Sequence, residues 1–92
     1  MPTKTNKNID LLDRAMKKQG LTLNDVYRAT GVNASALSQM LKGKSRFTDA
    51  ICARLSLSGL ASFETLKVNQ AKYDAATMDF SQFDDVTPNF FK

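Results

Sequence analysis

The sequence has no histidine and a single cysteine among its 92 residues. Without histidine the chain has no imidazole for a metal site, or for a Ser–His or Cys–His nucleophilic pair. It also lacks a glycine-rich phosphate loop and a paired-cysteine metal motif. Asp84 and Asp85 form an adjacent carboxylate pair, but nothing around them suggests a shaped site. We therefore expect no enzymatic activity, no metal and no cofactor.

The lone cysteine and the lack of long apolar runs bear on where in the cell the protein is found. Cys52 cannot form an internal disulfide, so the sequence gives no sign of an oxidising environment. Its position between Ile51 and Ala53 predicts a small buried hydrophobic residue rather than a redox switch. No run approaches the ~18 apolar residues of a transmembrane helix, and no secretory leader is recognisable. We expect a cytoplasmic protein that does not bind membranes.

A stretch near the middle of the chain carries the signals of two short helices. Thr22 is predicted to cap the first, with Asp25 completing an approximate capping box. Asn33 is predicted to cap the second, and Gly31 and Gly43 suit the left-handed backbone just past each helix. Two short helices joined by a glycine-containing turn are typical of a helix-turn-helix, whose second helix lies in the major groove. The motif predicts binding to double-stranded DNA.

Each helix of this motif has two distinct sides. The predicted inward-facing residues are Leu23, Val26, Tyr27, Ala36, Leu37, Met40 and Leu41. The other side of the second helix is small and polar, so its backbone can approach base edges closely. The candidate base contacts on that side are Ala34, Ser35, Ser38 and Gln39. Spacing alone leaves open an ordinary helical hairpin whose polar side is solvated.

Charge is distributed unevenly along the chain. Residues 1–54 contain ten Lys and Arg against four Asp, a net of +6. Residues 55–92 contain three Lys against five acidic residues, a net of −2. A basic half favours polyanions, although a solvated basic face is an alternative explanation. The candidate phosphate contacts are Thr22, Asn33, Lys42, Lys44 and Arg46.

Three further helices are predicted around the motif, which makes the fold class all-α with five helices in a compact domain. Asn8 is predicted to cap the first helix, and Thr48 and Ser62 the two that follow the motif. The stretch 56–61 is predicted to be a loop, and the last helix to run to about Met78. The predicted segments are a flexible N-terminal arm (1–8), a DNA-binding domain (9–78) and a C-terminal tail (79–92).

The last helix and the tail contain residues for which we expect specific contacts. Phe63, Leu66, Gln70 and Tyr73 fall on one side of this helix. Because an unpaired amide there would be costly, we expect Gln70 to bond loop backbone or the cap of the preceding helix. The tail holds four of the six phenylalanines, whereas disordered segments are usually poor in aromatics. The candidate dimer or partner contacts are Phe63, Phe80, Phe83, Phe90 and Phe91.

The pattern from Gly20 to Gly43 resembles the helix-turn-helix of phage repressors, Cro and the wider Xre group, which implies a lambda-repressor-like fold. A narrower resemblance is to HigA-type antitoxins. It rests on the segments Lys42-Gly-Lys-Ser-Arg-Phe-Thr48, Ala53-Arg-Leu55, Ser62-Phe-Glu64 and Gln70-Ala-Lys-Tyr-Asp74. The resemblance implies a transcriptional repressor that serves as antitoxin to a small basic toxin protein.

We expect the repressor to act as a homodimer on an inverted-repeat operator, because one small readout helix selects too few bases. Two alternatives stay open. The first is a phage- or plasmid-type repressor with no toxin partner. The second is a protein-interaction module built on the same helical fold, with incidental basic charge.

Overall fold

Five α-helices and one short 3-10 turn follow each other along the chain. The computed structural model describes residues 5–87 and Phe90. The elements are α1 (Lys7–Gln19), α2 (Leu23–Thr30), α3 (Ala34–Leu41), α4 (Asp49–Leu57), α5 (Phe63–Thr77) and the 3-10 turn Ser81–Phe83. The described residues contain no strand, so the predicted all-α class is confirmed. Within the same residues, no helix has the length and apolar character needed to cross a membrane.

Side-chain caps begin α2, α3, α4 and α5 where the sequence predicts them. At α2 the hydroxyl of Thr22 accepts the Asp25 N–H at 3.2 Å, and the Asp25 carboxylate accepts the Thr22 N–H at 2.9 Å. This reciprocal pair is a complete capping box. Asn33, Thr48 and Ser62 accept backbone N–H groups in the same way. These four predicted caps are therefore confirmed.

The start of α1 differs from the prediction, because Asn6 and not Asn8 is its cap. The Asn6 side chain accepts the Asn8 N–H at 2.9 Å, so the helix begins at Lys7. Asn8 is fully buried and donates from Nδ2 to the Leu66 carbonyl on α5 at 2.7 Å. Either asparagine is a suitable N-cap by residue type. Because the Asn8 side chain bonds α5, Asn6 is the one that caps α1. Residues 6–8, predicted to belong to the arm, thus form the cap and first turn of α1.

The core lies where α5 packs against α1 and α4, and where α3 packs against α1 and α2. Its buried apolar residues are Leu12, Met16, Val26, Val32, Leu37, Met40, Phe47, Cys52, Leu55 and Leu66. The thiol of Cys52 lies 3.7 Å from the Phe47 carbonyl oxygen. Burial raises the pKa of this thiol. Cys52 is therefore the buried small hydrophobe that was predicted.

Two apolar residues lie elsewhere than predicted. Tyr27 was assigned to the inward stripe but is 47% exposed, because Val26 and Thr30 take the buried positions of α2. Leu57, predicted to lie in a loop, is the last residue of α4 and is 89% exposed. Phe63, one of the predicted dimer or partner contacts, is 43% exposed and lines a shallow surface hollow with Leu57.

Candidate nucleic-acid interface

Side chains from two helices, α2 and α4, fix the turn between α2 and α3. Thr30 Oγ1 donates to the Val26 carbonyl at 2.7 Å and accepts the Val32 N–H at 3.0 Å. From α4, Arg54 Nη1 donates to the Thr30 carbonyl at 3.1 Å. Gly31 has a φ of 78°, and a Cβ at this position would lie 2.8 Å from Arg54 Nη1. The positive φ therefore favours glycine here, and a Cβ would also oblige the Arg54 side chain to shift. The hydrogen bonds of Thr30 and Arg54 hold α2, the turn and α4 together.

The four predicted base contacts lie on the side of α3 that faces away from the core. We call Ala34, Ser35, Ser38 and Gln39 the readout face. Ser35 is exposed and the other three residues are half-buried, whereas Leu37 and Met40 on the opposite side are fully buried. The structure therefore brings the four residues together on one accessible surface of α3. Short side chains there leave the helix backbone close to that surface.

The basic loop (residues 42–46) follows α3 directly. The N–H of Gly43 donates to the Met40 carbonyl at 3.0 Å, and the N–H of Lys44 to the Gln39 carbonyl at 2.9 Å. Gly43 has a φ of 77°, the left-handed conformation that was predicted for it, and together with these two bonds it forms a Schellman motif. The chain consequently reverses beside the C-terminal end of the readout face. The exposed cations of the loop are Lys42, Lys44 and Arg46.

The remaining predicted phosphate contacts are caps at two helix N-termini. Asn33 Oδ1 accepts the Ser35 N–H at 2.7 Å, and its amide NH₂ keeps the capacity to donate to a phosphate at the start of α3. At α2, the Asp25 carboxylate already occupies the positive end of the helix beside Thr22. The hydrogen bond from the Thr22 backbone N–H lowers the pKa of Asp25. Asn33 is therefore the better placed of the two caps for an anion.

A polar network ties the basic loop to α5. Gln70 Oε1 accepts the Phe47 N–H at 2.9 Å and the Asn6 side-chain amide at 2.8 Å. The expectation that Gln70 bonds loop backbone is confirmed. Gln70 Nε2 donates to one Asp74 oxygen at 2.8 Å, and Arg46 donates to the other at 2.8 Å. Sequence reasoning missed the role of Asp74, because nothing in the sequence pairs it with Arg46.

Four of the five predicted dimer or partner contacts are described by the structure, and all four lie at the surface. Phe63 shares its hollow with Leu57, the exposed apolar residue whose role sequence reasoning missed. In the tail, Asp79 Oδ1 accepts the N–H of Ser81, the first residue of the 3-10 turn, at 3.0 Å. The exposed tail phenylalanines are Phe80 (70%), Phe83 (43%) and Phe90 (97%). Phe91 lies outside the described residues.

The model of the helix-turn-helix family matches residues 12–57, half of the chain. The chain belongs to this family. The matched part runs from within α1 to the end of α4 and contains the turn, the readout face and the basic loop. A helix-turn-helix of this Xre/Cro type is a DNA-binding regulatory domain. No match was found among curated proteins or among solved structures.

Proposed function

We propose that this helix-turn-helix protein is a sequence-specific transcriptional repressor whose readout face enters the major groove of its operator. The observation that carries the proposal is the arrangement on α3, where a small polar face ends in an exposed basic loop. Short polar side chains suit base edges, and neighbouring cations suit the phosphates that flank a groove. Because α3 carries no arginine, we expect modest discrimination at each base and a contribution from DNA shape.

Within the readout face, each residue has a role that its chemistry supports. Gln39 is suited to adenine, because its side-chain amide can both donate and accept on the major-groove edge. Ser35 and Ser38 can donate or accept, and Ala34 can contact a thymine methyl group. All four are proposed contacts, since each is exposed or half-buried on the accessible side of α3 and can therefore approach DNA.

Phosphate anchoring is assigned to the basic loop together with the two caps, Thr22 and Asn33. Lys42 and Lys44 have no carboxylate within ion-pair distance among residues 5–87. Their ammonium groups therefore approach DNA without first breaking an internal ion pair. Each such contact releases counterions from DNA, so binding should weaken as salt rises.

The protein is further proposed to act as a homodimer. Two readout faces related by a two-fold axis would meet an inverted repeat with half-sites ~34 Å apart. The basic half must face DNA, which leaves α5, the hollow at Leu57 and Phe63, and the tail for pairing. Exposed apolar side chains on these parts support that assignment, because a monomer rarely leaves many of them uncovered.

The resemblance to HigA-type antitoxins supports a narrower function, in which the repressor is the antitoxin of a toxin–antitoxin pair that regulates its own operon. The tail interleaves Asp79, Asp84 and Asp85 with exposed aromatic rings, a combination that suits a small basic toxin protein. Co-expression with the product of the neighbouring gene tests this function. A complex with the full chain that is lost on removal of residues 79–92 would support it. A neighbouring gene product that is not basic and does not bind would favour a phage- or plasmid-type repressor.

Selection of bound duplexes from a random pool tests the DNA-binding function. We expect enrichment of an inverted repeat whose half-site centres lie about 10 base pairs apart. Salt-sensitive binding without an enriched sequence would contradict sequence specificity. A complete lack of binding to duplex DNA at low salt would favour the protein-interaction module instead.

A further inference from the structure

Arg46 differs from the two lysines of the basic loop in being held by an acidic residue. Its Nη2 donates to Asp74 Oδ2 at 2.8 Å, although the two residues lie 28 positions apart in the sequence. Lys42 and Lys44 have no such carboxylate partner among the described residues. The loop therefore presents two unrestrained ammonium groups and one guanidinium with a defined position.

The carboxylate of Asp74 is itself oriented from the core. Its other oxygen, Oδ1, accepts from Gln70 Nε2 at 2.8 Å. Gln70 is only 3% exposed, and its own oxygen is fixed by the Phe47 N–H at 2.9 Å. Gln70 and Asp74 lie one turn apart on the same face of α5, and both side chains bond residues of the basic loop or the residue that follows it. A buried amide thus determines where the exposed carboxylate holds Arg46.

We propose that Asp74 is a positioning residue for DNA binding, which orients Arg46 so that its remaining N–H donors meet a backbone phosphate. A guanidinium is planar and carries five donors, so one edge can bond Asp74 while another edge bonds DNA. Holding the side chain before binding reduces the rotamer entropy that would be lost on contact. The inference rests on the proposed DNA-binding function and adds to it a residue that never touches DNA.

A competing electrostatic effect of Asp74 would change DNA affinity in the opposite direction. A carboxylate beside a cation could compete with phosphate for the guanidinium and so weaken binding. The two effects are separated by whether removal of Asp74 lowers or raises DNA affinity. Because both side chains are substantially solvent-exposed, loss of their ion pair should by itself cost little folding stability. Asp74→Ala also removes the acceptor of the buried Gln70 Nε2, so the folding of this variant is checked separately.

The experiment is a double-mutant cycle on binding to a mixed-sequence duplex of about 20 base pairs, two helical turns. Asp74→Ala should lower affinity about two- to tenfold in the wild-type background, and should have no effect in the Arg46→Ala background. It should also reduce the salt slope, and Arg46→Ala should do the same. Asp10→Ala is the matched control, because it removes the same charge from an exposed ion pair with Arg14. It should change neither the DNA affinity nor the salt slope.

Circular dichroism checks the helical content of every variant. If Asp74→Ala loses helix, Asp74→Asn replaces it in the cycle, because it keeps the size of the side chain and an oxygen acceptor. A rise in affinity on removing Asp74, or an equal fall in both Arg46 backgrounds, would overturn the inference. Failure of the wild-type protein to bind any duplex would instead overturn the proposed function itself.

Discussion

Gln70 on α5 and Phe47 beside the basic loop are joined by a hydrogen bond of 2.9 Å from the Phe47 N–H to Gln70 Oε1. The same oxygen accepts from the Asn6 side chain at 2.8 Å, and Asn6 caps α1. All three residues are buried. One amide therefore sets the position of the loop relative to two helices, and its removal would leave two buried donors without partners.

Replacement of Gln70 by Leu should lower the free energy of unfolding by about 2 kcal/mol or more, because each unpaired buried donor costs about 1–3 kcal/mol. Urea denaturation followed by circular dichroism measures the change. Gln82→Leu is the matched control, since Gln82 is exposed. A loss at position 70 no larger than that of the control would contradict the structural role of this amide.

Gly31→Ala should be more destabilising than Gly20→Ala, although both glycines have positive φ values of 78° and 65°. The backbone penalty of about 1–2 kcal/mol is common to both substitutions. At position 31 the new Cβ would also lie 2.8 Å from Arg54 Nη1, whereas at position 20 the described part of the chain places no further atom within 4 Å. Thermal or urea unfolding of the two variants measures the difference. The difference should disappear in an Arg54→Ala background. Equal losses of unfolding free energy in the wild-type background would show that the Arg54 side chain moves aside at little cost.

The capping box of α2 should lose its contribution to stability in acid. The pKa of Asp25 lies below its usual 3.8 because the Thr22 N–H donates to the carboxylate. A lowered pKa in the folded state gives a contribution that is complete above the unfolded-state value and is lost as pH falls through the folded-state value. The difference in stability between the wild-type protein and Asp25→Asn, measured from about pH 6 to about pH 2, should therefore shrink below the ordinary carboxyl pKa. A carboxyl pKa for Asp25 at or above 3.8 by NMR titration would contradict this expectation.

Removal of residues 79–92 should convert a dimer into a monomer, if the exposed phenylalanines of the tail supply the interface. Light scattering or sedimentation gives the mass of each form in solution. Leu57→Ser is the companion variant, because it changes the apolar hollow and leaves the tail intact. A truncated chain that remains dimeric and binds its operator normally would exclude the tail from pairing and leave partner capture as its better explanation.

Local features of the fold were predictable from the sequence because caps act within a few residues. Thr22 and Asp25 are three positions apart, and the capping box follows from residue type and spacing alone. Which of Asn6 and Asn8 caps α1 was not predictable, because it depends on the hydrogen bond from Asn8 to the Leu66 carbonyl on α5, 58 residues away. The same limit applies to Asp74, whose contact with the basic loop depends on how whole helices pack.

For the candidate site, the sequence predicts which residues share the accessible side of α3, because helical spacing places them there. It does not predict which cations of the basic loop are restrained, since that depends on partners from α5. Nor does it indicate that Arg54 braces the turn, 24 residues away from Thr30. Surface apolar residues such as Leu57 were equally hard to place, because an apolar side chain near a helix end suits burial and exposure alike.

The most direct measurement compares Gln39→Ala with Lys44→Ala on the selected operator and on a random duplex over a series of salt concentrations. We expect Gln39→Ala to reduce the ratio of operator affinity to random affinity and to leave the salt slope unchanged, because Gln39 is assigned to bases. Lys44→Ala should weaken both duplexes in parallel and reduce the salt slope by roughly 1, because Lys44 is assigned to a phosphate. An operator preference untouched by Gln39→Ala but abolished by Lys44→Ala would contradict the division between readout face and basic loop.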